Sequence, residues 1–113
     1  MEKKSVQSAI EYNEKSLTKR VIYNVGGSTV FVLNLMPGQQ LPAHKHPGTE
    51  VYLLVLTGSG TFTINGEDIP VTKNDTIHST GDEDLAFQNN GQEPVSLYVM
   101  LNKVPDERYV QNI

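Results

Sequence analysis

From residue 21 onward, Gly, Pro, Asn and Asp cut the chain into short segments rich in Val, Ile, Thr, Phe and Tyr, and no helical period survives that spacing. Nine such segments read as strands, at 20–24, 28–35, 40–46, 50–57, 60–65, 67–71, 75–79, 85–89 and 94–101. Gly26-Gly27, Pro37-Gly38, Pro47-Gly48 and Asn90-Gly91 supply turns. Asn65-Gly66, between TFTI and EDIPV, is the dipeptide of a two-residue type I′ hairpin, whose central residues both need positive φ. Pro70 cannot donate to a ladder, so its strand belongs at an edge or at a bulge. The expected fold is all-β, an antiparallel sandwich or barrel such as a jelly roll. At 113 residues it forms one domain: an arm over 1–20, a barrel over 21–101 and a tail over 102–113. In the arm, Val6 and Ile10 stand four apart, which suits a short helix or a loose extension.

Two strands, STVFVLNL at 28–35 and EVYLLVLT at 50–57, are apolar at nearly every position rather than at every second one. Both of their faces must therefore be covered, one by the barrel interior and the other by a second layer. A homodimer packing sheet on sheet supplies that layer economically; a second layer from the same chain is the alternative. Other partners are excluded by composition. The net charge of −4 has the wrong sign for a phosphate-backbone binder, so no nucleic acid is expected. The longest apolar run, at 51–56, falls far short of the roughly 20 residues that span a bilayer, so no membrane is expected either. The chain has no cysteine, which removes thiol chemistry and thiolate metal sites. With an opening MEKKSVQSAI that lacks a signal-peptide core, a cytoplasmic protein is expected.

Two of the three histidines stand at His44 and His46, with Glu50 beyond the turn Pro47-Gly48. Residues i and i+2 of a strand share a face, so the two imidazoles project into one space, and the turn returns Glu50 beside them on the next strand. Two neutral imidazoles and a carboxylate suit a divalent transition metal (Fe, Zn, Mn, Ni or Co) and leave positions open for water or substrate. Gln40 has the parity of His44 and is a possible further ligand or hydrogen-bond donor, whereas Lys45 faces outward. In DTIHS, Ile77 takes the inward parity, which turns Thr76 and His78 away from the interior.

The stretch GQQLPAHKHPGTEVYLLVLTGSG, from residue 38 to 60, resembles the first motif of the cupins, G(x)5HxH(x)3–4E(x)6G. Gly38 precedes His44 by five residues, and Glu50 follows His46 after three. Between Glu50 and Gly58 there are seven residues instead of six, which suggests a bulge in the strand. The second motif, G(x)5PxG(x)2H(x)3N, is recognisable from Gly66 onward but eroded: VTKND at 71–75 replaces the preferred proline and Gly-Asp pair. LAFQNNG at 85–91 matches the ending HxFxNxG with Leu85 in place of the histidine that supplies the usual fourth ligand. Counting back from Phe87 and Asn89 places Leu85 at that position, whereas counting forward from Gly81 places Asp84 there. The acidic run Asp82, Glu83, Asp84 otherwise reads as a solvated turn at the barrel rim. The resemblance covers about half the chain and implies a cupin barrel with an incomplete metal site.

Strand alternation offers Leu33, Leu54, Leu85, Phe87 and one or two of Tyr52, Tyr98 and Val99 as walls around the site, most of them doing simple core packing. Such a cavity suits a small, partly apolar oxygenated ligand. Three classes of function follow: a metal-dependent enzyme with His44, His46 and Glu50 as ligands, a small-molecule-binding module without chemistry, and a stable dimer with a decayed site. The cupin fold does not choose among them, because function resides in sites rather than folds.

Overall fold

The computed structural model describes residues 1–103. Nine strands follow a single 3-10 turn at Val6–Ala9: β1 (Thr18–Val25), β2 (Ser28–Leu35), β3 (Gln40–His44), β4 (Thr49–Thr57), β5 (Ser59–Ile64), β6 (Glu67–Thr72), β7 (Thr76–Thr80), β8 (Leu85–Gln88) and β9 (Val95–Lys103). They form a five-stranded sheet in the order β1-β2-β9-β4-β7 and a four-stranded sheet in the order β3-β8-β5-β6, with antiparallel pairing throughout. This is the expected all-β double-sheet architecture. Of the expected tail, Asn102 and Lys103 belong to β9, and 104–113 lie outside the described residues. Asn65 and Gly66 have φ of 51° and 81°, the two positive values that a type I′ turn requires, and they join β5 to β6. Pro70 lies on β6, an edge strand.

The inner faces of the sheets alternate into one core. Phe31, Leu33 and Leu35 from β2, Val51, Leu53 and Val55 from β4, and Val95, Leu97 and Val99 from β9 meet Phe62, Ile64, Leu85 and Phe87 from the smaller sheet. The rings of Phe62 and Phe87, 4.6 Å apart and tilted, form the centre of the contact between β5 and β8. Asn89 is fully buried just beyond β8. Its amide donates to the carbonyls of Leu35 and Glu93 and its Oδ1 accepts from Gly91 N–H, so the side chain ties the 89–93 turn to the end of β2.

The second apolar face of β2 is covered from within the chain. Val30 and Val32 pack with Ile22 and Ala9 under the N-terminal arm. A buried polar network fixes the arm there. Asn34, 0 % exposed, donates to the carbonyl of Ala9 and to Thr18 Oγ1 and accepts from Ser96 Oγ, while Ser96 Oγ also meets Tyr12 OH at 2.5 Å. An amide buried on an apolar face costs free energy unless its polar atoms are paired, and pairing them with the arm specifies where the arm lies. This corrects the premise that led from β2 to a second chain: the covering layer of β2 belongs to the same chain. On β4 the arm gives less cover, and Tyr52 is 41 % exposed with Leu54 and Leu56 half-buried.

Candidate functional site

The cavity at the open end of the barrel has a volume of about 90 Å³. Its walls are Phe31, Leu33, Leu41, Val51, Leu53, Leu85 and Val99, and its polar lining is Lys19, His44 and His46. β3 ends at His44, whose cross-strand partner on β8 is Leu85. His46 follows in the turn, its N–H bonded to the carbonyl of Gly81. Glycine is required at 81, because a Cβ there would collide with the carbonyl oxygens of His46 and Thr49. The imidazoles of His44 and His46 stand edge to face with centroids 4.5 Å apart, and His44 Nδ1 lies 2.7 Å from the carbonyl of Pro42. The pKa of His46 is held below the usual imidazole value, chiefly by burial and then by the neighbouring His44 and Lys19 charges.

Glu50 does not join the two histidines. β4 turns Val51, Leu53 and Val55 inward, so Glu50 shares the outer face with Tyr52 and Leu54. There Glu50 Oε2 lies 2.7 Å from His78 Nε2, and the His78 ring stacks on Tyr52 with centroids 4.9 Å apart. The expectation that the turn returns Glu50 beside the imidazoles is therefore corrected by one residue of parity. The irregularity in the pairing of β4 with β9 falls between Val55 and Thr57, after the alternation has already set Val51 inward. Val51 is the residue that satisfies the longer spacing, with four residues between it and His46 and six between it and Gly58.

The other expected site residues divide in the same way. Leu33, Leu85 and Phe87 face the interior, Leu85 in the cavity wall and Phe87 deeper in the core. Tyr52, Leu54 and Tyr98 do not; they line a shallow apolar groove on the outer face with Thr76, His78 and Met100, because their parity on β4 and β9 is that of the outer layer. Gln40 is exposed and away from the cavity, since a register shift between Leu41 and His44 breaks the alternation that would align it with the histidines. Asp84 sits beside the β5–β6 hairpin, exchanging backbone and side-chain bonds with Asn65. Its neighbour Glu83 closes the rim turn by accepting from Thr80 N–H, a bond that lowers its pKa. His78 faces outward and Ile77 packs against the core, the parity expected for DTIHS.

Lys19 is the site residue that the sequence pattern did not offer. It pairs with Leu33 across β1 and β2 and so shares the inner face, and its Nζ stands 4.4 Å from the centroid of the Phe31 ring. Among the described residues, no acidic side chain lines the cavity and no three His, Asp or Glu side chains converge. The donor set for a metal is thus two imidazoles, with the aliphatic side chains of Val51 and Leu85 beside them and a lysine at the rim. Two imidazoles beside an ammonium group fall short of the three or four protein donors that hold a resident divalent cation.

Two antiparallel sheets closing over a cavity with an HxH pair at its mouth define a cupin-type barrel, and the comparisons with known proteins agree. A family model described as "Cupin domain" matches residues 31–101, and the chain belongs to that family. The Thermus thermophilus protein TT1209 superimposes with a TM-score of 0.85 at 20 % identity, over 93 % of this chain and 100 % of that one. In sequence, the chain is 28 % identical over 69 residues to the oxalate-binding protein of Thermotoga maritima, covering 61 % of this chain and 57 % of the relative. It is 25 % identical over 81 residues to the tetracenomycin polyketide synthase protein TcmJ of Streptomyces glaucescens, covering 70 % of this chain and 54 % of the relative. The chain spans little more than half the length of these curated relatives.

Proposed function

We propose that this cupin is a small-molecule-binding module whose barrel works without a resident metal. The observation that carries this reading is the pair Val51 and Leu85, which fill the two places beside His44 and His46 where a metal site needs donors. The imidazoles then serve as hydrogen-bonding groups for a small oxygenated ligand whose apolar part lies against Leu33, Leu85 and Val99. Among the described residues no two groups in the cavity are paired as nucleophile and base, which favours binding over turnover. The similarity to an oxalate-binding protein supports a small oxygenated ligand as the class.

The competing reading keeps a divalent metal on His44 and His46, with solvent or ligand oxygens completing its shell. Elemental analysis of untagged protein purified without chelator separates the two. Metal well below one atom per chain is expected. A stoichiometric metal that His44→Ala removes while the fold is kept would overturn the metal-free reading.

A second copy of this chain is the partner we propose for the part of the outer face that the N-terminal arm leaves open. Tyr52, Leu54, Tyr98 and Met100 form an apolar strip there, and a two-fold axis would bury it against itself. Sedimentation at micromolar concentration should give a dimer, and Leu54→Glu should give a monomer; a monomeric parent sinks the idea. The cytoplasm, where a cysteine-free chain needs no oxidising compartment, completes the proposal.

A further inference from the structure

The charge of the cavity goes further than its shape. Lys19 reaches the mouth from β1, the two imidazoles reach it from β3 and the following turn, and among the described residues no carboxylate lines the space between them. Lys19 also lacks an ion-pair partner among the described residues, although Lys4 and its strand neighbour Arg20 have theirs. The ammonium instead rests over the face of Phe31, 4.4 Å from the ring centroid, a contact that positions a cation without neutralising it. Behind this polar rim every wall is aliphatic or aromatic.

We propose that the barrel takes small monocarboxylates with a short aliphatic tail, and that Lys19 anchors the carboxylate beside His44 and His46. The inference rests on the reading of the barrel as a ligand-binding module and adds the ligand's charge and the residue that selects it. A carboxylate at the rim accepts a charge-assisted hydrogen bond from Nζ and a further bond from a ring N–H of His46, while His44 has its Nδ1–H donated to the Pro42 carbonyl. The tail then displaces water from Leu33, Leu85 and Val99. A cavity of about 90 Å³ accommodates a tail of a few carbons. A dicarboxylate is disfavoured, since its second charge would be buried against aliphatic side chains without a partner.

The test uses two probes of nearly equal shape, isobutyrate and isobutyramide, titrated into the full chain in the presence of chelator. Binding is followed by the methyl resonances of Leu33, Leu85 and Val99. Isobutyrate should shift these methyls, and isobutyramide should bind about tenfold more weakly. Lys19→Met keeps an apolar stem over Phe31; it should cost the acid about tenfold and leave the amide unchanged, while Lys19→Arg restores much of the acid's affinity. Equal binding of acid and amide, or an unaltered acid affinity in Lys19→Met, overturns the carboxylate class and leaves the binding-module reading standing. If neither probe moves the three methyls, both fall. Far-ultraviolet circular dichroism of the variants verifies that each is folded.

Discussion

The two faces of β4 carry opposite halves of one expected site. On the inner face Val51 stands beside His44 and His46; on the outer face, one residue away, Glu50 pairs with His78 and lies next to Tyr52. The side-chain period of a strand is two, so a shift of a single residue exchanges the two faces completely. In one phase the barrel mouth would hold two imidazoles and a carboxylate. In the phase observed it holds two imidazoles, aliphatic walls and a lysine, and the carboxylate becomes part of a surface cluster. Chemistry in this fold is decided by strand phase as much as by residue type.

The comparison can be broken most forcefully by moving the donors inward. Val51 is 2 % exposed and Leu85 3 %, so Val51→Glu combined with Leu85→His puts a carboxyl and an imidazole into an aliphatic wall beside His44 and His46. Each substitution should cost roughly 1–5 kcal/mol in chelator. Nickel or zinc, bound only by the native state, should restore much of that loss and raise the melting temperature with the logarithm of its concentration above Kd. If added metal leaves the double variant's melting temperature where chelator puts it, positions 51 and 85 do not face the histidines.

A second experiment weighs the covered part of the outer sheet face against the open part. Asn34→Ala removes the bonds to the Ala9 carbonyl, to Thr18 Oγ1 and from Ser96 Oγ, which should cost about 1–3 kcal/mol. Limited proteolysis within residues 1–17 should accelerate at the same time. An unchanged cleavage rate together with unchanged denaturant stability would mean that the arm is held by something other than this network.

The smallest effect is expected at the carboxylate that the sequence pattern made prominent. Glu50→Gln alters a contact with His78 whose side chains are 33 % and 50 % exposed, so its stability effect should stay below about 1 kcal/mol. Ligand affinity should not change, because the side chain lies outside the barrel. A loss of affinity similar to that from a substitution in the cavity wall would bring Glu50 back into the site.

These particular residues also mark how far the chain could be read without coordinates. The strands, the Asn65-Gly66 hairpin and the edge position of Pro70 follow from local chemistry, and the alternation around Ile77 assigns His78 its face. The HxH spacing admits three or four intervening residues before the next ligand position, which leaves Glu50 and Val51 both open; the six residues between Val51 and Gly58 hold the information that settles the phase. Tyr52 and Leu54 were carried to the wrong side with Glu50. Gln40 was lost to the shift between Leu41 and His44, since parity cannot be counted through a bulge. Lys19 had no local signal at all. Its place comes from pairing with Leu33, a contact that exists only once β1 has docked on β2.

The position of β9 has a kinetic consequence. It is the last of the described strands along the chain, and in the larger sheet it lies between β2 and β4, hydrogen-bonded to both. Until Val95–Lys103 arrives, β2 and β4 have open edges lined with apolar side chains, and the β1–β2 hairpin has nothing to join. Such non-local closure slows folding relative to local helical contacts and leaves sticky edges exposed while it is incomplete. During synthesis on a ribosome, the larger sheet can therefore assemble only after β9 has cleared the exit tunnel, and the interval before then is when a chaperone would have most to protect.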